Sequence, residues 1–179
     1  MRLPDTLASD REEISSQEKD VIFKLLESVI EDIKSYRLDK GAELEKDFLL
    51  RIYLIEEHLE AIKKIAPERI SKIEHKLRDS LEGLKIEVDV NRFEQELIFY
   101  LEKFDITEEK VRLKNHLDYY RKVMKSNVPV GKKLGFITQE IGREINTIGS
   151  KANHAELQKI VVQMKDELEK IKEQLLNVL

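Results

Sequence analysis

Two rows of polar residues in the second half of the sequence have the types and spacing that chemistry would need. Glu140 and Glu144 stand one helical turn apart, with Lys133, Thr147 and Lys151 on the same side of a predicted helix. Two carboxylates at this spacing can share a divalent cation or divide acid and base roles, and neighbouring cations can hold a phosphate. A solvated face with ion pairs gives the same pattern. Asn, Gln, Thr and Ser side chains in this helix favour a functional contact, because they weaken a helix.

The second row lies in the helix before it. Glu108, Arg112 and His116 are spaced at i, i+4 and i+8, so a carboxylate, a guanidinium and an imidazole share one stripe. Histidine can move protons near neutral pH, and a nearby carboxylate could orient it. An ordinary surface histidine is the alternative. Asp105 is predicted to be the N-cap of this helix, with Glu108 completing the capping box.

Positive charge is concentrated around these rows. Between Lys110 and His154 there are ten Lys or Arg residues and only three acidic ones, although the whole chain has a net charge of −4. Such a segment is a candidate binding surface for a polyanion. The alternative is that it packs against the acidic remainder of the chain.

The absence of cysteine limits the possible chemistry. With no Cys among 179 residues, disulfides, thiolate zinc sites and thiol nucleophiles are excluded. Phosphate-binding loops, dinucleotide fingerprints and zinc-binding His motifs are also missing from the sequence. Any metal site must therefore be rich in oxygen ligands, which favours Mg²⁺ or Mn²⁺ over zinc.

The apolar pattern predicts an all-α fold. A capping box at Ser15 and Glu18 begins one very long helix, or two nearly collinear ones, ending before Ala66 and Pro67. Asp89 is predicted to cap a further helix. The last helix has an apolar seam with steps of four and three, formed by Leu157, Val161, Met164, Leu168, Ile171, Leu175 and Val178. We therefore predict long antiparallel helices forming an extended bundle with a coiled-coil C-terminal helix.

Two regions are predicted along the chain. Residues 1–88 form a long-helix linker or oligomerisation region, and residues 89–179 form a C-terminal helical domain. No apolar run approaches the length of a membrane span, and the N-terminus lacks a signal-peptide core. We expect a soluble cytoplasmic protein without a membrane partner.

Four stretches resemble the C-terminal region of the bacterial YicC/YloC family. They are "RFEQE", "KFDITEEKVRLKNHL", "PVGKKLGFITQEIGREINTIGSKAN" and "KDELEKIKEQLLN". The earlier "RLDKGAELEKDFLLRI" resembles the family more loosely, with Lys40 where Glu is usual. Members of this family have a strand-containing N-terminal domain ahead of this region, so we expect the chain to be the C-terminal part of a longer protein.

The resemblance implies a divalent-metal-dependent endoribonuclease that uses Mn²⁺ or Mg²⁺, acts in small-RNA turnover and assembles into homo-oligomers, hexamers in particular. On this basis the hypothetical catalytic residues are His116, Glu108, Glu140 and Glu144. The predicted metal ligands are Glu140, Glu144 and Asp105. The predicted RNA-binding residues are Arg112, Lys132, Lys133, Arg143, Asn146 and Lys151.

Three departures from the family pattern bear on these assignments. Gly135 stands where the family usually has Asp, and Gly142 where it usually has Asn. If that Asp were a metal ligand, this chain would bind metal differently or not at all. Lys132 replaces Arg, which keeps the charge but gives up bidentate phosphate binding. The alternative function is a non-catalytic helical module for oligomerisation or RNA binding.

Overall fold

The computed structural model describes residues 14–83, 89–126 and 128–178, and all regular secondary structure in these ranges is helical. The helices are α1 (Ser16–Gly83), α2 (Val90–Phe104), α3 (Thr107–Met124), α4 (Gly131–Lys151) and α5 (Ala155–Leu175). The chain divides into two compact units, Met1–Glu43 and Leu44–Leu179. The predicted all-α class is therefore confirmed. The predicted boundary at residue 88 falls outside the described residues and stays a prediction.

The start of α1 is the predicted capping box. The Ser15 amide donates to Glu18 Oε2 at 2.9 Å, and the Glu18 amide donates to Ser15 Oγ at 3.3 Å. These hydrogen bonds satisfy two amides that a helix N-terminus otherwise leaves without partners. The Ser15 amide and the Ser15 hydroxyl both donate to Glu18 Oε2, and these two bonds hold the pKa of the Glu18 carboxyl below its ordinary value.

The predicted end of this helix before Ala66 and Pro67 is wrong. The helix α1 continues through Gly41 and Pro67 to Gly83. A proline inside a helix removes one backbone hydrogen bond and costs about 3 kcal/mol. Ala66 and Arg69 on either side of Pro67 are both buried, so packing of this turn offsets that cost. Local propensity alone predicted the wrong boundary.

The core of the second unit is built by α1, α3, α4 and α5. The contribution of α1 follows a helical stripe, since Ile52, Ile55, Leu59 and Ile62 are fully buried. Phe48 precedes this stripe, and its ring packs edge-on against Tyr120 of α3 with ring centres 6.2 Å apart. The other helices supply Leu113, Leu117, Leu134, Ile137, Ile141, Ile145 and Ile148 and the buried residues of α5.

The apolar seam of α5 is buried as predicted, from Leu157 to Ile171, with Leu175 and Val178 partly buried. Its partner within the chain is α4, which approaches closely because it carries glycines on that side. A Cβ added at Gly142 would lie 3.1 Å from Leu168 Cδ2, and one at Gly149 would lie 3.0 Å from Val161 Cγ1. The coiled-coil geometry itself stays a prediction.

Helix α2 lies outside this core. Its N-cap is the predicted Asp89, whose carboxylate accepts hydrogen bonds from the amides of Asn91 at 3.0 Å and Arg92 at 3.2 Å. Arg78 of α1 pairs with Glu94 of α2 at 3.3 Å. Within the described residues, no helix is long and apolar enough to cross a membrane.

Candidate functional site

Helices α3 and α4 contact each other through side chains at both ends. Near the end of α3 and the start of α4, Lys133 Nζ lies 5.2 Å from the centre of the Tyr119 ring. Near the start of α3 and the end of α4, Lys151 Nζ lies 2.7 Å from Glu109 Oε1. Because the start of each helix meets the end of the other, the two helices run antiparallel.

The row of α4 that faces α3 contains both predicted catalytic carboxylates. Lys133, Glu140, Glu144 and Lys151 are separated by seven, four and seven residues, which places them within about 40° of one another around the helix axis. Since the first and last members of the row contact α3, Glu140 and Glu144 between them face α3 as well.

The facing row of α3 has steps of three, four and three residues and consists of Glu109, Arg112, His116 and Tyr119. We call these two rows together the α3–α4 seam. It brings the predicted Arg112 and His116 alongside the predicted Glu140 and Glu144. A lysine of α4 contacts α3 at each end of the seam.

The two carboxylates of α4 have different environments. Glu144 is only 5 % exposed, yet within the described residues it makes no hydrogen bond or ion pair, and its oxygens are not sealed from solvent. Glu140 is half-exposed, and its Oε2 lies 4.0 Å from Arg143 Nη1. Within the described residues, the solvent-accessible oxygens of Glu144 are therefore free to accept a hydrogen bond or to bind a cation.

The polar residues of α3 are more exposed. Arg112 donates a hydrogen bond to Glu108 one turn earlier, which holds the guanidinium at the surface of the helix. His116 is half-buried. It lies on the same face of α3 as Arg112, without a hydrogen-bond partner in the described part of the chain.

The predicted N-cap of α3 is wrong: the N-cap is Ile106, which makes no side-chain capping hydrogen bond. Asp105 lies one residue earlier and is the C-cap of α2. Its Oδ1 accepts from the Thr107 amide at 3.1 Å and from Thr107 Oγ1 at 2.7 Å. These bonds lower the pKa of the Asp105 carboxyl. The capping box with Glu108 does not form, since Glu108 is bound to Arg112.

The described residues bring together no group of three or more His, Asp or Glu side chains that could hold a metal. Asp105 therefore does not join Glu140 and Glu144 in one cluster. The pair fits a hard cation by its chemistry, because carboxylate oxygens are the ligands such ions prefer. Its unpartnered member, Glu144, supports that fit.

Part of the basic segment is neutralised within the chain. Lys114 and Arg121 both bind Glu56 of α1, and they also bind Asp118, at 2.9 and 3.2 Å. The predicted packing against acidic residues is thus correct for these two cations. Two other cations of the segment are less engaged: within the described residues Lys132 makes no ion pair, and the exposed Arg143 has only its 4.0 Å approach to Glu140.

Arg69 is an important residue that the sequence did not reveal. It is 2 % exposed, and its Nη1 donates to the carbonyls of Lys151 at 3.2 Å and Ala152 at 2.9 Å. Its Nη2 donates to the carbonyl of Phe104. Burial lowers the pKa of this guanidinium, against the opposing effect of Asp105. Arg69 thereby fixes the end of the α3–α4 seam where Lys151 lies.

The two glycines that differ from the family pattern, Gly135 and Gly142, have different surroundings. A side chain at Gly135 would meet nothing within 4 Å, so the Asp usual in the family would fit there. At Gly142 even a Cβ would press on Leu168 of α5. The second departure therefore belongs to the packing of α4 against α5, away from the seam.

Comparison with known proteins gives a consistent result. Residues 62–179 match the family described as "Endoribonuclease YicC-like, C-terminal". The chain is 32 % identical over 184 residues to the probable endoribonuclease YicC of Clostridioides difficile, a match that covers 99 % of this chain and 62 % of that protein. It is 25 % identical over 178 residues to the probable endoribonuclease YicC of Haemophilus influenzae, with the same coverage.

The chain thus spans about 62 % of the length of the curated relatives it matches. The matched region contains the whole α3–α4 seam and the buried Arg69 that fixes one end of it. The chain belongs to the YicC-like endoribonuclease family.

Proposed function

We propose that this chain is part of an endoribonuclease and that RNA phosphodiesters are cleaved at the α3–α4 seam. The observation that carries the proposal is Glu144, a largely buried residue whose solvent-accessible carboxylate makes no hydrogen bond or ion pair within the described residues. It stands one turn from the half-exposed Glu140 and beside the row that contains His116 and Arg112. The seam thus contains a proton-transfer group, paired carboxylates and flanking cations, which are the groups that phosphodiester cleavage would use.

In this proposal His116 moves the proton. Its imidazole is half-buried and lies in the row of α3 that is turned toward α4. It would act as general acid or base toward the attacking or leaving oxygen of the phosphodiester. Arg112 would bind a non-bridging phosphate oxygen, and Glu108 would orient its guanidinium through their ion pair.

The remaining cations would guide the RNA backbone. Lys132 and Arg143 are exposed on the outer side of α4, and Asn146 lies on the same exposed side. Lys133 and Lys151 stand at the two ends of the seam. These residues would hold phosphates on either side of the cleaved bond, which positions it along the groove.

A divalent cation, Mn²⁺ or Mg²⁺, is the proposed cofactor, and Glu140 and Glu144 would hold it. Water and phosphate oxygens would complete its coordination, as hard cations with few protein ligands require. When bound, such an ion supplies Lewis-acid polarisation of a phosphate or a more acidic water. Asp105 stays a predicted ligand, and its bonds to Thr107 would compete with metal binding. Small RNAs in the cytoplasm are the proposed substrates.

A cleavage assay on a structured RNA, with Mn²⁺ or with EDTA, tests this proposal. Glu144→Gln and His116→Ala should each abolish metal-dependent cleavage. Glu173→Gln, an exposed glutamate of α5, is the matched control and should cleave normally. Mn²⁺ titrated into the protein should bind to the wild type and not to the Glu140→Gln, Glu144→Gln double variant. Full cleavage by Glu144→Gln would refute the assignment.

The α1 segment of the first unit favours self-association as a second function. Ile22, Leu26, Val29, Ile33 and Tyr36 follow steps of four and three residues, and all are exposed. Leu25 and Ile30 flank this stripe and are exposed as well. A helix with such a stripe is stable only when a partner covers it.

We infer that the partner is a second copy of this chain, aligned in parallel. In a parallel pair, position 32 of one helix lies beside position 37 of the other. That arrangement places Asp32 of each copy beside Arg37 of the other, so the ion pair forms twice. It also packs Leu25 of each copy against Ile30 of the other. An antiparallel pair centred on Val29 would place Asp32 beside Leu26 of the other copy, where it finds no cation. The hexamer expected from the family resemblance could use this face at one of its interfaces.

A further inference from the structure

A single carboxylate of α1 binds two cations of α3. Glu56 Oε1 accepts a hydrogen bond from Lys114 Nζ, and Glu56 Oε2 accepts one from Arg121 Nη2. Both cations also bind Asp118 Oδ1, at 2.9 Å for Lys114 and 3.2 Å for Arg121. The side chain of Glu56 is only 22 % exposed. Glu56 therefore joins α1 to α3 through a half-buried ion network that has two points of attachment on α3.

This network lies on the side of α3 that is opposite the α3–α4 seam. Lys114 and Arg121 are seven residues apart, so they lie within about 20° of each other around the helix axis. Arg112 and His116 of the seam are each two positions away from Lys114, which places them about 160° from it. Glu56 thus binds α3 from behind, on the side away from the residues proposed to react.

An ion network of this kind determines alignment more than it adds stability. Removing charges from water costs free energy that their mutual attraction only partly offsets, whereas a defined pairing disfavours other alignments of the two helices. The apolar contacts of α3, made by Leu113, Leu117 and Tyr120, are buried, but apolar burial has no preferred direction. Two cations that converge on one carboxylate define both the angle and the height of α3 against α1.

We propose that Glu56 is a positioning residue for the cleavage reaction and that it acts through the two cations of α3. By fixing the face that α3 presents to α4, Glu56 keeps His116 aligned with the two glutamates of α4. A turn of α3 by about 10° would move the imidazole by roughly 1 Å, and a misplacement of this size can slow a reaction about a hundredfold. This inference rests on the proposed function, because it assigns Glu56 a role in the same reaction.

Cleavage kinetics of the full chain with a structured RNA and Mn²⁺ test the inference, at a temperature where every variant is folded. Glu56→Gln should lower kcat about tenfold or more and change KM by less than about twofold, because the residues proposed to bind RNA stay in place. Glu56→Asp keeps the charge and should recover most of the loss. Glu60→Gln, whose ion pair with Lys63 lies within α1, is the matched control and should change neither constant.

Arg121→Gln is a milder variant, because it leaves Glu56 bound to Lys114. It should lower kcat less than Glu56→Gln does, and the double variant should be no slower than Glu56→Gln alone, since both changes break the same network. If Glu56→Gln does not fold, Arg121→Gln decides the question. A wild-type kcat in Arg121→Gln would then overturn the positioning role.

The imidazole signals of His116 provide a readout that needs neither RNA nor metal. In nuclear magnetic resonance spectra of the protein alone, these signals, assigned with His116→Ala, should shift in Glu56→Gln and stay in place in Glu60→Gln. Unmoved signals or an unchanged kcat in Glu56→Gln would overturn the positioning role, whatever the loss of stability. If the wild type does not cleave RNA but the signals shift, Glu56 still positions His116 and only the proposed nuclease is contradicted.

Discussion

Lys151 Nζ lies 2.7 Å from Glu109 Oε1 and joins the last residue of α4 to the first turn of α3. Glu109 is 5 % exposed, and its second oxygen, Oε2, is buried without a hydrogen-bond partner. An enclosed carboxylate depends on its partner cation, because removal of one member of such a pair leaves an uncompensated charge. This ion pair therefore joins α3 and α4 at one end of the α3–α4 seam.

Lys151→Ala should reduce the free energy of unfolding by about 3 kcal/mol, because the enclosed Glu109 loses its partner. Lys151→Ala combined with Glu109→Leu should be less destabilised than Lys151→Ala alone. Urea denaturation of the single and double variants measures both effects. If the double variant loses as much free energy of unfolding as Lys151→Ala and Glu109→Leu lose together, the two side chains do not interact, which would contradict the pairing.

Arg69→Met should destabilise the protein by about 3 kcal/mol or more, because three carbonyls at the ends of α2 and α4 lose their donor. Arg69→Lys should recover only a small part, since an ammonium lacks the planar fork of donors. Thermal unfolding gives the comparison. Lys72→Met, an exposed cation in the same helix, is the control and should remain within about 0.5 kcal/mol of the wild type.

Stability should depend on pH through Glu56. Burial alone would raise the pKa of this carboxyl, but the ion pairs with Arg121 and Lys114 outweigh burial and lower it from the ordinary value of 4.5. A carboxyl with a lowered pKa in the folded state stabilises the protein at pH values above its ordinary pKa. This contribution is lost as the pH falls through the folded-state pKa.

Glu56→Gln should therefore cost roughly 1–3 kcal/mol near pH 7, and the difference from the wild type should shrink toward zero as the pH falls well below about 4. Urea unfolding at several pH values tests this. The exposed Glu45→Gln should show no such convergence. A Glu56→Gln deficit that stays constant with pH would show that the carboxylate charge is not its source.

The glycines of α4 should respond in opposite directions to the same substitution. Gly149→Ala should destabilise by about 1–3 kcal/mol, because its Cβ would lie 3.0 Å from Val161 Cγ1. Gly135→Ala should stabilise by up to about 1 kcal/mol, since alanine favours the helix and its Cβ meets nothing within 4 Å. Thermal unfolding of the two variants distinguishes packing from helix propensity.

Self-association should depend on the pairing of Asp32 with Arg37. Asp32→Arg and Arg37→Asp should each weaken association, because like charges would face each other in the parallel pair. The double exchange should restore it. Analytical ultracentrifugation of the four proteins measures the effect, and Glu31→Arg, on the outer side of the helix by its position, is the control. Association that ignores all of these changes would exclude the parallel pair of copies.

The sequence predicts well whatever depends on periodicity within one helix. The capping residues Ser15 and Asp89, the buried seam of α5 and the α4 row of the α3–α4 seam all follow from spacing. For α3 the spacing predicts Arg112 and His116 correctly but adds Glu108, where the structure has Glu109. The sequence could not reveal which helices lie side by side. The pairing of Lys114 and Arg121 with Glu56 joins residues about sixty positions apart, and nothing local indicates it.

Arg69 shows the same limit at a single residue. Pro67 predicts a helix boundary by its local geometry, and such a boundary gives no reason for the residue two positions later to be buried. Its burial follows from the carbonyls of Phe104, Lys151 and Ala152, which lie far along the chain. A charged side chain is seldom buried, so composition could not reveal it either.

The close approach of α4 to α5 also determines how α4 is rotated about its own axis. Gly142 faces Leu168 and Gly149 faces Val161, and a methyl group at either glycine would be too close to its neighbour. Any rotation of α4 would therefore bring a larger residue into that gap. The opposite flank of the same helix carries Glu140 and Glu144. Substitutions at the glycine flank, on the far side of the helix, should therefore misalign the two carboxylates even though they touch neither.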